Sequence, residues 1–218
     1  MNWTAATIHV IDFEGHRSYG VVEYGVASIC LGRVTGTATR LCAPLDRIRE
    51  EDVRVHGIRE TDAAGNPPFS ADYETFVELR RGGVFAAHNK VVEHALLKHT
   101  WAYPPFVPDY RGNGGETAEW GPWIDTLRLY QRLYPDLPGH ALGGLIDAFG
   151  LRAELEELAL LHCPPARRKA HCALYDALAS ALLLSRLQKE PPVADRSLAH
   201  LLELSGETLA EAPELFAD

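Results

Sequence analysis

The stretch Thr7-Ile-His-Val-Ile-Asp12-Phe-Glu14 decides the fold of this chain. From Thr7 to Phe13 its residues are mainly apolar or β-branched, which predicts a strand buried in a sheet. Residues i and i+2 of a strand point to the same face, about 6.6 Å apart. We therefore expect Asp12 and Glu14 to lie side by side at the end of a core strand.

Two carboxylates in that position repel each other, and removing them from water is costly. A bound cation removes this cost. Hard divalent ions such as Mg²⁺ prefer carboxylate oxygens, and a carboxylate pair is a common beginning of a two-metal phosphoryl-transfer site. The alternative is a strand end that reaches water, where Asp12 and Glu14 are merely solvated. The pair alone does not decide between the two.

The composition is that of one globular domain. The chain has 218 residues, which suffice for an α/β domain with a full core, and 46% of them are hydrophobic. No apolar run approaches the roughly 18 residues of a membrane span, and the chain starts with a strand pattern, so we expect no membrane attachment and no signal peptide. Four dispersed cysteines favour reduced thiols and a cytoplasmic location.

The formal net charge of −9 argues against broad, sequence-independent coating of nucleic acid. Such coating depends on many contacts of Lys and Arg with phosphates. A small acidic pocket that holds a phosphate through metal ions remains compatible with this charge.

Hydrophobic patterning predicts an antiparallel meander followed by strand–helix alternation, which indicates an α/β mixed sheet with helices on its faces. Gly and Pro mark 44–69 and 101–122 as loops, the first with short helical pieces and the second a surface insertion or mobile loop. The predicted strands are 7–13, 20–31, 34–42, 84–87 and 123–125. The predicted helices are 70–81, capped by Ser70, then 89–99, 126–134, 140–149 and 172–188.

Leucines at helical spacing in 195–215 predict a short helix pair packed on the body. We therefore expect two units: a main domain over residues 1–190, and a C-terminal helical extension over 191–218 that packs on it. These leucines are expected to belong to the core or to a dimer seam.

Two further motifs bring acidic and imidazole groups toward the first pair. His88-Asn89 follows the strand at 84–87, and Glu93 lies four residues after Asn89, on one face of the predicted helix. His171 directly precedes a strongly apolar helix, and Asp176 falls in its early turns, where the helix N-terminus favours a carboxylate. The candidate catalytic residues are therefore Asp12, Glu14, Glu93, His171 and Asp176.

With these ordered motifs the sequence resembles the DEDDh 3′→5′ exonucleases, which include polymerase proofreading subunits and ribonuclease T. The resemblance extends from Thr7 to Leu187. Asp-x-Glu, His-Asn with a following acid, and His-x4-Asp are the family motifs that match. Secondary signatures also agree, namely His56-Gly57-Ile58 and Trp123-Ile-Asp-Thr-Leu127.

The resemblance implies a ribonuclease H-like fold and hydrolysis of phosphodiester bonds at nucleic-acid 3′ ends to release nucleoside 5′-monophosphates. The acidic net charge favours short or single-stranded ends, and the sequence leaves DNA and RNA open. By the same resemblance, Asp12, Glu14, Glu93 and Asp176 would hold two Mg²⁺ or Mn²⁺ ions, and His171 would orient or deprotonate the attacking water. The implied substrate-binding residues are Phe13, Gly15, His56, Ile58, His88 and Asn89. A homodimer or a polymerase-like partner is a further expectation.

Two positions depart from the family pattern. Glu93 stands where the family has Asp, and Gly15 stands where it often has Thr or Ser. These departures keep open a second class of function, a weakly active or non-catalytic module that binds nucleic-acid ends or a polymerase-like partner. Four carboxylates with a histidine favour the enzyme, because a pure binder does not need to cluster acids.

Three other patterns have alternative interpretations. His162-Cys163 and His171-Cys172 suggest a zinc site, although their spacing is not that of a Cys-x2-Cys knuckle. The run 167–169 (Arg-Arg-Lys) is either a solvated loop or a phosphate-binding element. The aromatic residues between 101 and 110 either anchor their loop to the body or stack on bases; they are Trp101, Tyr103, Phe106 and Tyr110.

Overall fold

The computed structural model describes residues 1–112 and 114–207, and it contains a five-stranded mixed sheet. The sheet strands are β1 (Ile8–His16), β2 (Gly20–Cys30), β3 (Arg33–Leu41), β4 (Val84–Ala87) and β7 (Trp123–Asp125). They lie in the order β3-β2-β1-β4-β7, with β1, β2 and β3 antiparallel and with β4 parallel to both β1 and β7. Two short strands, β5 (Val107–Pro108) and β6 (Glu116–Thr117), pair separately. The predicted α/β mixed sheet is confirmed.

Helices cover both faces of this sheet. They are α1 (Glu50–His56), α2 (Glu60–Ala63), α3 (Tyr73–Gly82), α4 (Val91–Thr100), α5 (Thr126–Leu133), α6 (Leu142–Ala148), α7 (Arg152–His162), α8 (Ala173–Arg186) and α9 (Leu198–Leu204). Alternation along β1 sends Ile8 and Val10 into the cluster that contains α8, and Ile11 and Phe13 into the cluster that contains α3 and α4. Asp12 shares the α8 face with Ile8 and Val10.

The close approach of α8 to the sheet depends on a glycine. Gly25 lies opposite Asp12 in the β1–β2 pair. A Cβ atom at Gly25 would lie 2.2 Å from the backbone carbon of Ala173, the first residue of α8. Only glycine therefore lets the start of α8 reach the strand that carries Asp12.

Two helix predictions needed correction, and one helix was missed. Ser70 does not cap a helix, because it lies inside a short 3₁₀ turn (Phe69–Asp72) that precedes α3. The helix predicted from Asn89 begins at Val91, because Asn89 has a φ of 73° and stands outside the helix. Asn89 and Glu93 are consequently not on one helix face. Helix α7 was not predicted at all.

The segment 101–122 is tied to the body. The buried Arg80 guanidinium donates hydrogen bonds to the carbonyl oxygens of Pro105 and Thr117. Trp101 packs against Trp120 in an aromatic cluster, so the anchoring interpretation holds for Trp101. Two other aromatic residues of this segment stay exposed, Tyr103 at 74% and Phe106 at 68%, whereas Tyr110 packs against the core.

Helix α9 packs on α5, β7 and the N-terminal turn, with Leu198, Leu201 and Leu202 buried. The core alternative thus holds for these leucines. The second helix of the pair predicted in 195–215 would fall largely on residues beyond 207, outside the described part of the chain, and the division at residue 190 stays a prediction. Among the described residues, the helices are all too short or too polar to span a bilayer.

Candidate active site

Four carboxylates meet where β1, α4 and α8 come together. Asp12 and Glu14 stand on β1, where strand alternation turns both toward α8. Glu93 is in the first turn of α4, which follows β4 directly. Asp176 is in the first turn of α8, one turn after the point where that helix touches β2. Three separate elements of the chain therefore deliver the acids that the sequence predicted.

A compact group of metal-binding atoms forms part of this site. One carboxylate oxygen of Glu14, one of Asp176 and a ring nitrogen of His171 all lie within 4.8 Å of one another. The backbone N–H of His171 donates a hydrogen bond of 2.8 Å to Oδ2 of Asp176. His171 has a φ of 59°, a left-handed conformation that turns the chain into α8. Its side chain is exposed at the edge of the site.

The carboxyl groups interact strongly with one another. Burial raises the pKa of Asp12 well above its ordinary value, and the charges of Asp176, Glu93 and Glu14 raise it further. Burial, followed by the charge of Asp176, raises the pKa of Glu14 to about 8. Burial likewise raises the pKa of Glu93 to about 8 and that of Asp176 to about 6. Without a cation, several of these groups hold protons at neutral pH.

Glu93 has a buried carboxylate oxygen without a hydrogen-bond partner. Its side chain is 5% exposed, and its Oε2 atom has no hydrogen-bond partner. A buried oxygen without a partner costs free energy that a ligand would recover. The carboxylate oxygens, buried on Glu93 and half-buried on Asp12, Glu14 and Asp176, and their raised pKa values fit hard divalent cations such as Mg²⁺ or Mn²⁺, which bind carboxylates and displace their protons.

The predicted substrate-binding residues lie in different surroundings. Asn89 is exposed, and its N–H donates to Asp125 at the end of β7. Both ring nitrogens of His88 are engaged within the protein, with the hydroxyl of Thr126 and the carbonyl of His140. Phe13 packs among Phe69 and Phe76 on the sheet face opposite Asp12 and Glu14. Contact of any of them with substrate stays a prediction.

The remaining predicted substrate-binding residues are His56, Ile58 and Gly15. Nδ1 of His56 accepts a hydrogen bond from the N–H of Ile58, and both side chains are buried. Gly15 lies at a bulge in the β1–β2 pair, where an added Cβ would lie 2.5 Å from the carbonyl oxygen of Gly20. The missing hydroxyl at Gly15 thus has a steric reason within the sheet. Substrate binding by these residues also stays a prediction.

A cleft of about 440 Å³ lies beside the acids. Its walls come from β2, β3, the turn after α1 and the loop before His171, and they include Glu23, Ile58, Arg167 and Lys169. Glu23 is the register partner of Glu14 across the two strands, so one wall residue of the cleft lies next to the carboxylate cluster, although the four acids themselves do not line it.

Sequence reasoning left two charged residues, Glu23 and Asp125, out of the candidate site. Glu23 is 3% exposed and pairs with Arg167, and Asp125 is 1% exposed and raises the pKa of Glu93. Arg167 is therefore neither a solvated loop residue nor free to bind phosphate, and Arg168 donates to the carbonyl oxygens of Leu160 and Cys163 at the C-terminal end of α7. The sequence did contain an indication of Glu23, because it is an acidic residue within a strand whose neighbouring residues are buried.

The zinc interpretation gains no support. Among the described residues, the grouped metal-binding side chains are Glu14, His171 and Asp176, without a cysteine. Cys163 and Cys172 are buried, and burial raises the pKa of each thiol to about 11. Such thiols behave as small hydrophobic side chains rather than as thiolate ligands.

Comparison with known proteins adds independent information. No family model matches the chain. A DNA polymerase III PolC-type of Streptococcus agalactiae serotype III (strain NEM316) is 25% identical over 215 residues, which is 97% of this chain. The chain spans only 13% of the length of that polymerase.

Two solved structures resemble the chain closely in architecture. Exonuclease X in complex with 5′ overhanging duplex DNA superposes with a TM-score of 0.61 and 21% identity, covering 89% of this chain and 99% of that one. The nuclease domain of 3′hExo, a DEDDh family member bound to rAMP, gives a TM-score of 0.59 and 13% identity, covering 90% and 98%. The chain therefore has a ribonuclease H-like α/β fold. Within that class its architecture is the one found in DEDDh exonucleases, which confirms the resemblance inferred from the motifs.

The raised pKa values lead to a prediction about stability. Glu14 and Glu93 have ordinary pKa values of 4.5 that folding raises to about 8, so the folded state binds their protons more tightly than the unfolded state. Their contribution to stability is complete below pH 4.5 and is lost as the pH rises through 8. We expect the melting temperature of the metal-free protein to fall over this interval.

The measurement is thermal melting in EDTA at constant ionic strength, from pH 5 to pH 8. The double variant Glu14→Gln/Glu93→Gln isolates the effect, because neutral amides do not titrate. We expect its melting temperature to depend less on pH than that of the wild type. Equal slopes for the two proteins would contradict the assignment of these raised pKa values.

Proposed function

We propose that this chain is a metal-dependent 3′→5′ exonuclease, a hydrolase that cleaves phosphodiester bonds at nucleic-acid 3′ ends and releases nucleoside 5′-monophosphates. The observation that carries the proposal is the group of four carboxylates, half-buried or buried, with an unpartnered oxygen on Glu93. The fold shared with DEDDh exonucleases supports it.

Asp12, Glu14, Glu93 and Asp176 are the residues that would hold two divalent ions, Mg²⁺ or Mn²⁺. When bound, such ions activate water and stabilise the charge that develops on the leaving oxygen. The carboxyl groups give up protons as they take on this role, because their raised pKa values keep several of them protonated beforehand. Their burial excludes water that would otherwise weaken each electrostatic contact.

His171 is proposed to orient and deprotonate the attacking water. Its side chain is exposed at the edge of the acid group, where solvent and substrate can reach it. Its backbone N–H is fixed on Asp176, so the ring stays beside that carboxylate. Imidazole is the side chain most often used to accept a proton near neutral pH.

A single-stranded 3′ end, of DNA or RNA, is the proposed substrate. A net charge of −9 supports recognition of a short terminus rather than of a long duplex. The cleft beside the acids is bordered by Lys169, an exposed cation that suits a phosphate. Exposed Tyr103 and Phe106 are available to stack on bases.

The likeness to a PolC-type polymerase supports a polymerase-like partner as a further proposal. A homodimer and a cytoplasmic location stay predictions. The rival proposal, a binding module without activity, is favoured only by Glu93 in place of Asp. The clustering of four carboxylates with a histidine argues against it, because a pure binder does not need that arrangement, whereas the unpartnered oxygen of Glu93 is compatible with a bound cation in either role.

The decisive experiment is hydrolysis of a single-stranded oligonucleotide in Mn²⁺, with the label on the 3′ nucleotide. We expect immediate release of a labelled mononucleotide, and a ladder of shortened products when the label is on the 5′ end. Asp12→Ala is expected to release nothing, because it removes the most central carboxylate. Asp136→Ala, at an exposed position, serves as the matched control and should retain wild-type activity.

Melting curves test the metal site without substrate. We expect Mn²⁺ to raise the melting temperature of the wild type and of Asp136→Ala, but not of Asp12→Ala. A folded wild-type protein that binds Mn²⁺ and oligonucleotide but releases no nucleotide would favour the binding module. A melting temperature unchanged at saturating Mn²⁺ would count against the metal site itself.

A further inference from the structure

A fifth carboxylate adjoins the proposed site, and it is neutralised in place. Glu23 stands on β2 directly opposite Glu14. Arg167 meets it with two parallel contacts, one of them a hydrogen bond of 2.9 Å from Nε to Oε1. Both side chains are largely buried, at 4% and 15% exposed for Glu23 and Arg167. This two-point geometry is specific to arginine and carboxylate.

The Glu23–Arg167 pair also holds two other segments. Oε2 of Glu23 accepts a hydrogen bond of 2.9 Å from the N–H of Ala173, the first residue of α8. Nη1 of Arg167 donates a hydrogen bond of 2.7 Å to the carbonyl oxygen of His56, the last residue of α1. One ion pair therefore joins β2, the end of α1, the loop that carries His171 and the beginning of α8.

We propose that Glu23 and Arg167 form a positioning pair that holds His171 and Asp176 in register with Glu14. This inference rests on the proposed exonuclease function and adds to it two residues that touch neither the reacting atoms nor the ions. His171 and Asp176 lie two residues before and three residues after Ala173, whose N–H Glu23 fixes. The hydrogen bond from His171 to Asp176 lies within this segment and cannot fix it to the sheet, and the bond from Arg152 to the hydroxyl of Tyr175 ties it to α7 rather than to the sheet.

The pair is not explained by stability alone. A buried ion pair is often no more stabilising than a well-packed apolar pair of the same volume. A further acid beside four others makes folding harder unless a cationic partner neutralises it. Charge neutralisation alone does not require the defined geometry that this pair has. What the pair provides beyond charge balance is orientation, because each of its two side chains reaches a backbone group on another element.

The test uses the double variant Glu23→Met/Arg167→Met, which removes both charges and the oxygen that accepts from Ala173, leaves the net charge unchanged and strands no buried ion. We expect kcat for oligonucleotide hydrolysis to fall about 10–100-fold, with KM little changed, as for partners that orient ligating groups from outside. A second readout is amide hydrogen exchange, in which the N–H of Ala173 and its neighbours in α8 should exchange faster. The rise in melting temperature on adding Mn²⁺ should also shrink.

The matched control is Glu78→Met/Arg81→Met, which makes the same chemical change in an exposed pair on α3. Exposed pairs of this kind contribute little, so wild-type values are expected. Arg167→Lys separates orientation from charge, because lysine keeps the charge but not the two-point contact. A positioning role predicts reduced kcat in Arg167→Lys, and it remains measurable should the double variant fail to fold.

Wild-type kcat together with wild-type exchange at Ala173 in the double variant would overturn the inference. Full activity of Arg167→Lys would also overturn it, since charge alone would then suffice. Absence of hydrolysis by the wild type would instead refute the proposed function. In that case exchange at Ala173 and the Mn²⁺-induced melting shift still decide whether the pair positions this segment.

Discussion

Glu93→Ala is expected to reduce nucleotide release by about 10³-fold, the equivalent of several kcal/mol of transition-state stabilisation. The side chain is buried in the first turn of α4, its Oε2 atom has no partner, and burial raises its pKa to about 8. Such a carboxyl group loses its proton readily only when a cation binds to its oxygens. Alanine leaves no oxygen at this position, so the ion held there loses a ligand from the protein.

Glu93→Asp keeps the carboxylate and shortens it by one methylene. We expect this variant to remain active, since aspartate is the residue that the resembled family has at this position. The longer glutamate side chain should hold an ion less rigidly than aspartate. Because Mg²⁺ requires a stricter octahedral geometry than Mn²⁺, we expect the wild type to be more active in Mn²⁺ than in Mg²⁺. The ratio of the rate in Mn²⁺ to the rate in Mg²⁺ should be smaller for Glu93→Asp than for the wild type.

The measurement is initial rate on a short single-stranded oligonucleotide, for each variant in Mn²⁺ and in Mg²⁺. Glu156→Ala, an exposed position on α7, is the matched control and should behave as the wild type. Activity that survives Glu93→Ala would show that another residue completes the site. Asp125 would then be the first candidate, because it is buried and its charge raises the pKa of Glu93.

Much of the fold could be predicted because its signals are local. The apolar, β-branched run of β1 and the apolar run of α8 both identify buried elements without reference to the rest of the chain. The predicted helix boundaries were wrong where the local backbone conformation differs from the one that the hydrophobic pattern predicts. Asn89 has a left-handed φ, so α4 starts after it, and a 3₁₀ turn replaces the cap predicted at Ser70.

The acids of the site were predictable as a set, because each sits in a short motif at the end or beginning of an element. The Glu23–Arg167 pair was not, because its partners are 144 residues apart in sequence. Its place beside Glu14 depends on the register of β1 with β2. No local pattern reports that register, since a slip of one residue would turn Glu23 to the other face.

His171→Ala is expected to lower turnover by roughly 10²–10⁴-fold while leaving metal binding largely intact, if His171 handles the attacking water. Its ring is exposed and lies next to Glu14 and Asp176, which suits a group that exchanges protons with solvent. The residue has a φ of 59°, however, and alanine is strained in that conformation. His171→Asn is therefore measured in parallel, because asparagine tolerates left-handed backbone without supplying a comparable base.

The two variants, assayed for kcat and for the Mn²⁺-induced rise in melting temperature, separate three roles for His171. A proton-transfer role predicts that both variants lose turnover and keep the melting shift. A ligand role, which the distance of 4.8 Å or less to oxygens of Glu14 and Asp176 makes concrete, predicts that both lose the shift as well. A purely conformational role predicts that His171→Asn retains activity and only His171→Ala loses it. The proposed mechanism requires the first result, because only there does the ring act on the water rather than on the ions or the backbone.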